Sequence, residues 1–107
     1  KIAVVFQPHL YSRTKLLLAD FAKSFDHADL VILSDIYAAR EVRDDTISSK
    51  ILSDEINKNC EKHRADYVGN LENTEIYLKE KEKNFDVIIT MGAGNISSIS
   101  DKLICNV

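Results

Sequence analysis

The sequence is poor in the residues that mark special environments. It has two Cys, Cys60 and Cys105, with no C-x-x-C and no His at ligand spacing. Neither a zinc site nor a redox pair is indicated, and both read as small apolar residues. One Pro and three Gly in 107 residues, beside 45% hydrophobic and 29% charged residues, exclude a disordered or fibrous chain. Positive charge is not in excess: 14 Lys and Arg face 17 Asp and Glu, for a net charge of -3. No local basic patch offsets that balance, so a nucleic-acid partner is not expected. No apolar run approaches the ~20 residues needed to cross a bilayer. The chain opens on a strand-like run instead of a signal peptide, so no membrane partner and a cytoplasmic location are expected. Three catalytic signatures are also missing: the G-x-x-x-x-G-K-[ST] triphosphate cradle, an acidic pair after the first strand, and a G-x-S-x-G nucleophile elbow.

What is present alternates between two periods. Lys1 to Phe6 is a nearly continuous apolar run rich in β-branched residues, as suits a parallel strand buried on both faces; Leu30 to Leu33 reads as a second buried strand, Phe85 to Met91 as a fourth strand, and a short third strand is expected at Ala65 to Val68. Between them, apolar residues recur at helical spacing over Thr14 to Phe25 and Ser48 to Cys60. The first helix is expected to be capped by Ser12 or Thr14. A charged helix is expected over Asn73 to Lys83, and a last one from near Asn95. Length sets residues 1–107 as one domain. Alternating strands and helices predict an α/β fold, a Rossmann-like open parallel sheet in the order 3-2-1-4 with helices on both faces. A chain that starts on its central strand is expected either to have lost an earlier element or to come from a longer protein.

In that order the chain reverses direction across the sheet between the first and fourth strands. Ligands of open α/β sheets bind beyond the carboxyl ends of strands at such a point. Two loops lie there. Gln7 to Thr14 carries His9, Tyr11, Ser12, Arg13 and Thr14, and Arg13 near a helix amino terminus suits a carboxylate or phosphate. On this loop alone, a turn merely capped by His9 and Arg13 is as good a reading. Gly92, Ala93, Gly94 and Asn95 join the fourth strand to its helix, allowing close approach of a ligand to backbone amides. A plain tight turn is the usual reading of that segment, because it is not a full G-x-G-x-x-G, and only its place opposite the first loop strengthens the functional one. After the second strand come Asp35, Tyr37, Arg40 and Glu41, whose adjacent opposite charges read as a surface pair.

Three segments together resemble one family: Phe6-Gln7-Pro8-His9-Leu10-Tyr11-Ser12-Arg13-Thr14, Asp35-Ile36-Tyr37-Ala38-Ala39-Arg40-Glu41, and Met91-Gly92-Ala93-Gly94-Asn95-Ile96. They are similar to segments of the carboxy-terminal domain of UDP-N-acetylmuramate:L-alanine ligases, in the Mur ligase family. The resemblance implies a peptidoglycan-synthesis ligase dependent on ATP and Mg2+, which makes an acyl phosphate of the muramoyl carboxylate and lets L-alanine attack it. It implies partner domains that hold the UDP-sugar and the triphosphate, so the chain alone holds no complete catalytic set and no metal site. His9, Arg13 and Gly92 to Asn95 would face the alanine and the muramoyl end, with Tyr11, Thr14, Asp35, Tyr37 and Arg40 in support. Leu10 departs from the pattern, since some members carry a second Arg there, and the weight of a carboxylate clamp falls on Arg13. A stand-alone Rossmann-like module that binds a small anion at the same loops is the other expectation, and a purely structural domain a third.

Overall fold

A computed structural model describes residues 1–104, and Cys105 lies outside them. The elements are β1 (Ile2–Phe6), α1 (Tyr11–Leu16), α2 (Leu18–Ala22), β2 (Leu30–Ser34), α3 (Ser49–Lys58), β3 (Ala65–Gly69), α4 (Leu71–Lys81), a 3-10 turn (Glu82–Asn84), β4 (Val87–Met91) and α5 (Ser97–Ile104). The sheet order is β3-β2-β1-β4, and every pairing is parallel. This is the expected order and class.

Alternation along the strands divides the core in two. Val4, Val31, Leu33 and Ala65 pack with Ala22, Phe25, Leu52 and Ile56 from the α2 and α3 side. Ala3, Val5 and Ile32 pack with Leu78, Ile96 and Ile99 from α4 and α5 on the other face. The placement follows from handedness. The chain steps one way from β1 to β3 and returns past β1 to β4, so crossovers of one hand must use opposite faces. Each fully buried Leu or Ile contributes on the order of 1.5–3 kcal/mol.

The helix ends show which side chains fix the loops. Ser48 caps α3 by accepting from the Ile51 amide at 3.1 Å. Asn70 caps α4 by accepting from the Asn73 amide at 2.9 Å. The first helix differs from expectation. It starts at Tyr11, after Leu10 at φ 71, and Leu10 supplies no side-chain cap. Ser12 is engaged elsewhere, and the Thr14 hydroxyl donates to the Leu10 carbonyl at 2.7 Å. Regular helix is interrupted at Leu17, although amide bonds from Leu17 to Arg13 and from Phe21 to Leu17 run through the break. It also stops at Ala22 instead of Phe25. Asn57 of α3 stitches the next turn: its Oδ1 accepts from the Arg64 and Ala65 amides, and its Nδ2 donates to the Ala65 carbonyl.

β4 lies at the sheet edge, as the expected order places it, and Val87, Ile89 and Met91 are exposed. No described helix covers it on the α2 side. An apolar groove of about 390 Å3 opens there between β4 and α2, lined by Val4, Phe6, Phe21, Phe25, Ile89 and Met91 among others. Cys60, half-buried, packs against the cluster on that same side of the sheet, as a small apolar residue would.

Candidate functional site at the carboxyl ends of the strands

Every segment singled out in the sequence leaves the sheet at its carboxyl end, and hydrogen bonds lock the three together. Gln7 follows β1 and is 5% exposed. Its amide donates to the Met91 carbonyl at 3.0 Å, and its side-chain Nε2 donates to Asn95 Oδ1 at 2.9 Å, so the loops after β1 and β4 are joined twice. The loop after β2 pairs with the loop after β1 like a short parallel ladder. The Tyr37 amide donates to the Pro8 carbonyl at 2.8 Å, and the Leu10 amide donates to the Tyr37 carbonyl at 2.9 Å. The His9 and Tyr37 rings stack with centroids 5.8 Å apart and planes at 16°. Glu41 at the end of this loop accepts from the Ser12 amide at 3.2 Å and from the Ser12 hydroxyl.

Close approach explains both glycines. A Cβ on Gly94 would sit 2.6 Å from the Tyr37 ring and 2.8 Å from Gln7 Oε1. A Cβ on Gly92 would sit 3.0 Å from the Gln7 carbonyl oxygen. The distances at Gly94 are shorter than real contacts allow and that at Gly92 is tight, so the third loop approaches its neighbours this closely because these residues lack side chains. Leu10 is the strained member: its φ of 71 is rare for a residue with a γ-branched side chain, a conformation that costs roughly 1–3 kcal/mol. The bonds to Tyr37 on either side hold it there.

The individual side chains divide by surroundings. Arg13 is exposed on α1 and has no ion pair or side-chain hydrogen bond among the described residues, so its guanidinium is available to an anion. His9 is half-buried, and its Nδ1 is shielded from solvent with no partner. Thr14 is fully buried and spent on the Leu10 carbonyl, which makes it a support of the turn. Ala93 and Arg40 are exposed. The anticipated pairing of Arg40 with Glu41 does not occur, because Glu41 turns to Ser12. The Ser12 hydroxyl bond is the main cause that holds the Glu41 carboxyl below its ordinary value.

Tyr11 and Asp35 border a polar depression of about 320 Å3 with Arg43, Asp45 and Tyr67. Here the Tyr67 hydroxyl donates to Asp35, and that bond first, then burial, pushes the phenol up to about 12. Among the described residues no group of three His, Cys, Asp or Glu side chains could hold a metal ion.

A second depression, of about 210 Å3, was not anticipated. Gln7, Ser34, Asn70 and Asn95 line it, with Asp35 and Tyr37 at its border. Asn95 was the only one of the first four singled out as a site residue. Gln7 lay inside the first motif but carried no charge to draw attention, and Ser34 reads as the polar end of an apolar run. Asn70 reads as a helix cap, which it also is.

Comparison with protein-family profiles gives no match. Individual relatives do match. The chain is 46% identical over 104 residues to a UDP-N-acetylmuramate--L-alanine ligase of Caldanaerobacter subterraneus subsp. tengcongensis, covering 97% of this chain and 22% of that protein. The ligases of the same name from Alkaliphilus metalliredigens and Lachnospira eligens are 46% and 47% identical over 104 residues, with the same coverage. This chain thus spans about a fifth of the length of the curated relatives it matches, 22% in each case. The aligned span takes in all three loops that meet at the carboxyl ends of the strands, and over 97% of its length the chain belongs to the family of UDP-N-acetylmuramate--L-alanine ligases, as one segment of it.

Proposed function

We propose that residues 1–107 are a single carboxy-terminal domain of a cytoplasmic ligase that joins L-alanine to UDP-N-acetylmuramate at the expense of ATP. Near-half identity to ligases of that name, along a segment whose three loops converge at one end of the sheet, carries the reading. In it, Arg13 holds the alanine carboxylate by charge-assisted hydrogen bonds. His9, stacked on Tyr37, and the loop from Gly92 to Asn95 border the amine and the muramoyl end. Holding an amine against an activated carbonyl converts an encounter into a near-unimolecular step, and this chain contributes that positioning and closes the active site over the partner domains. ATP and Mg2+ bind on the partner domains, since the chain has neither a P-loop nor a cluster of metal ligands among the described residues. A stand-alone anion-binding module is disfavoured because every relative cited matches through a segment of a longer ligase.

The test is complementation in vitro. The pure chain, given ATP, Mg2+, UDP-N-acetylmuramate and alanine, is expected to release no phosphate and form no product. Mixed with the remainder of a ligase made as a separate polypeptide, it is expected to restore alanine-dependent phosphate release. Phosphate release by the pure chain sinks the proposal, and so does full turnover by the remainder without it.

A further inference from the structure

We infer that the depression between Gln7, Ser34, Asn70 and Asn95 is a subsite for a neutral amide group, one that offers both an N–H and a C=O. This goes beyond the ligase reading, since it depends only on this chain.

Each of the four strands delivers one of these side chains. Gln7 follows β1, Ser34 ends β2, Asn70 follows β3, and Asn95 lies in the loop after β4. Two of them are buried with polar atoms unspent: Gln7 is 5% exposed and Ser34 fully buried, and neither Gln7 Oε1 nor Ser34 Oγ has a hydrogen-bond partner. Leaving such buried atoms unpaired is costly, so a group that satisfies both is favoured. Gln7 Oε1 can only accept, whereas a serine hydroxyl can donate. An N–H directed to Gln7 and a carbonyl oxygen to Ser34 meet both needs. No Lys, Arg or His borders the depression, which sets it apart from the Arg13 region and disfavours a phosphate or carboxylate. About 210 Å3 admits a small group of this kind. Both atoms are shielded from solvent, and Gly94 lies against Gln7 Oε1, so an amide reaches that oxygen only when the loop from Gly92 to Asn95 moves, which breaks the bond from Gln7 to Asn95.

The probe is acetamide, titrated into the isotopically labelled 107-residue chain and followed by nuclear magnetic resonance, with acetate and inorganic phosphate in parallel. Acetamide is expected to shift the side-chain amide signals of Gln7 and Asn95 and the backbone signals of Ser34 and Asp35 saturably, at the high concentrations so small a ligand requires. Acetate and phosphate are expected to leave them in place. Ser34→Ala removes one hydrogen bond and is expected to weaken acetamide roughly three- to tenfold. Gln7→Met removes the acceptor at similar size and should weaken it likewise. Should Gln7→Met unfold the chain, Ser34→Ala decides alone, its fold checked by an unchanged core spectrum. Linear, unsaturable shifts, equal response to acetate, or unaltered affinity in folded Ser34→Ala each overturn the inference, as would a depression that holds only ordered water in saturating acetamide. Because no ATP, sugar nucleotide or partner domain enters this experiment, its failure leaves the complementation result untouched.

Discussion

Arg13 and Arg40 are the two arginines of the three loops, both exposed, and Leu10 occupies a position where the family resemblance offers a further Arg beside Arg13. A contact from a charged donor contributes about 1.5–3 kcal/mol. In an intact ligase carrying this domain, Arg13→Ala is therefore expected to lower kcat/KM for alanine by roughly ten- to a hundredfold or more, with little change in the KM for ATP. Arg13→Lys should recover part of that, since an ammonium keeps the charge but not the paired geometry. Unchanged alanine kinetics in a folded variant would remove Arg13 from the substrate. Residues of this charged kind were legible in the sequence because their chemistry is local. Gln7, Ser34 and Asn70 were not. Each is neutral, and each acquires meaning only when the sheet brings four strand ends together, a fact that no single segment contains.

The connection between Ser12 and Glu41 governs how the loop after β2 lies against α1. Its pH response has a definite sign. Hydrogen bonding to Ser12 lowers the Glu41 carboxyl below its ordinary 4.5 in the folded chain, so the folded pKa lies under the unfolded one. The stabilisation is fully present above about 4.5 and is lost as pH falls through the lower folded value. Carbon-detected titration of Glu41 should give a midpoint under 4.5, with the Ser12 amide shifting in step, and Ser12→Ala should raise it. A midpoint at or above 4.5, or a Ser12 amide indifferent to pH, would break the connection. Strands and helices of this size were readable from periodicity because their cores repeat at 2 and 3.6 residues. The start of α1 was misread for a reason of the same kind. Ser12 and Thr14 look like caps, but the positive φ of Leu10, enforced by the ladder to Tyr37, sets the helix start three residues before Thr14.

At the scale of the molecule, the sheet is protected unequally. Val87, Ile89 and Met91 leave an apolar stripe on an edge strand without charge or proline, and unpaired edges of that composition invite association. The isolated chain is expected to self-associate with rising concentration. Ile89→Lys, at a residue 38% exposed, should shift sedimentation toward monomer while leaving the melting temperature within a few degrees. Concentration-independent monomer in the parent chain would refute this. The strand order was legible because handedness and the paired loops leave few alternatives. The uncovered face of β4 was not, since an apolar run reads alike whether one face or both are covered.

Asn57 binds the turn on its far side, fastening Arg64 and Ala65 to α3 with three hydrogen bonds, while Glu61, Lys62 and His63 between them face solvent. Asn57 thereby fixes the start of β3, and of the tip residues His63 adds a bond to Asp66 of that strand. A foreign segment spliced between Glu61 and Lys62, such as a short fluorophore-binding sequence, should ride outside the sheet, because loop closure grows only slowly with length. Its melting temperature should fall by only a few degrees, whereas the same splice in an Asn57→Ala background should fall much further. That turn, at the opposite end of β3 from the clustered loops, is where this chain can be labelled without touching the residues proposed to bind.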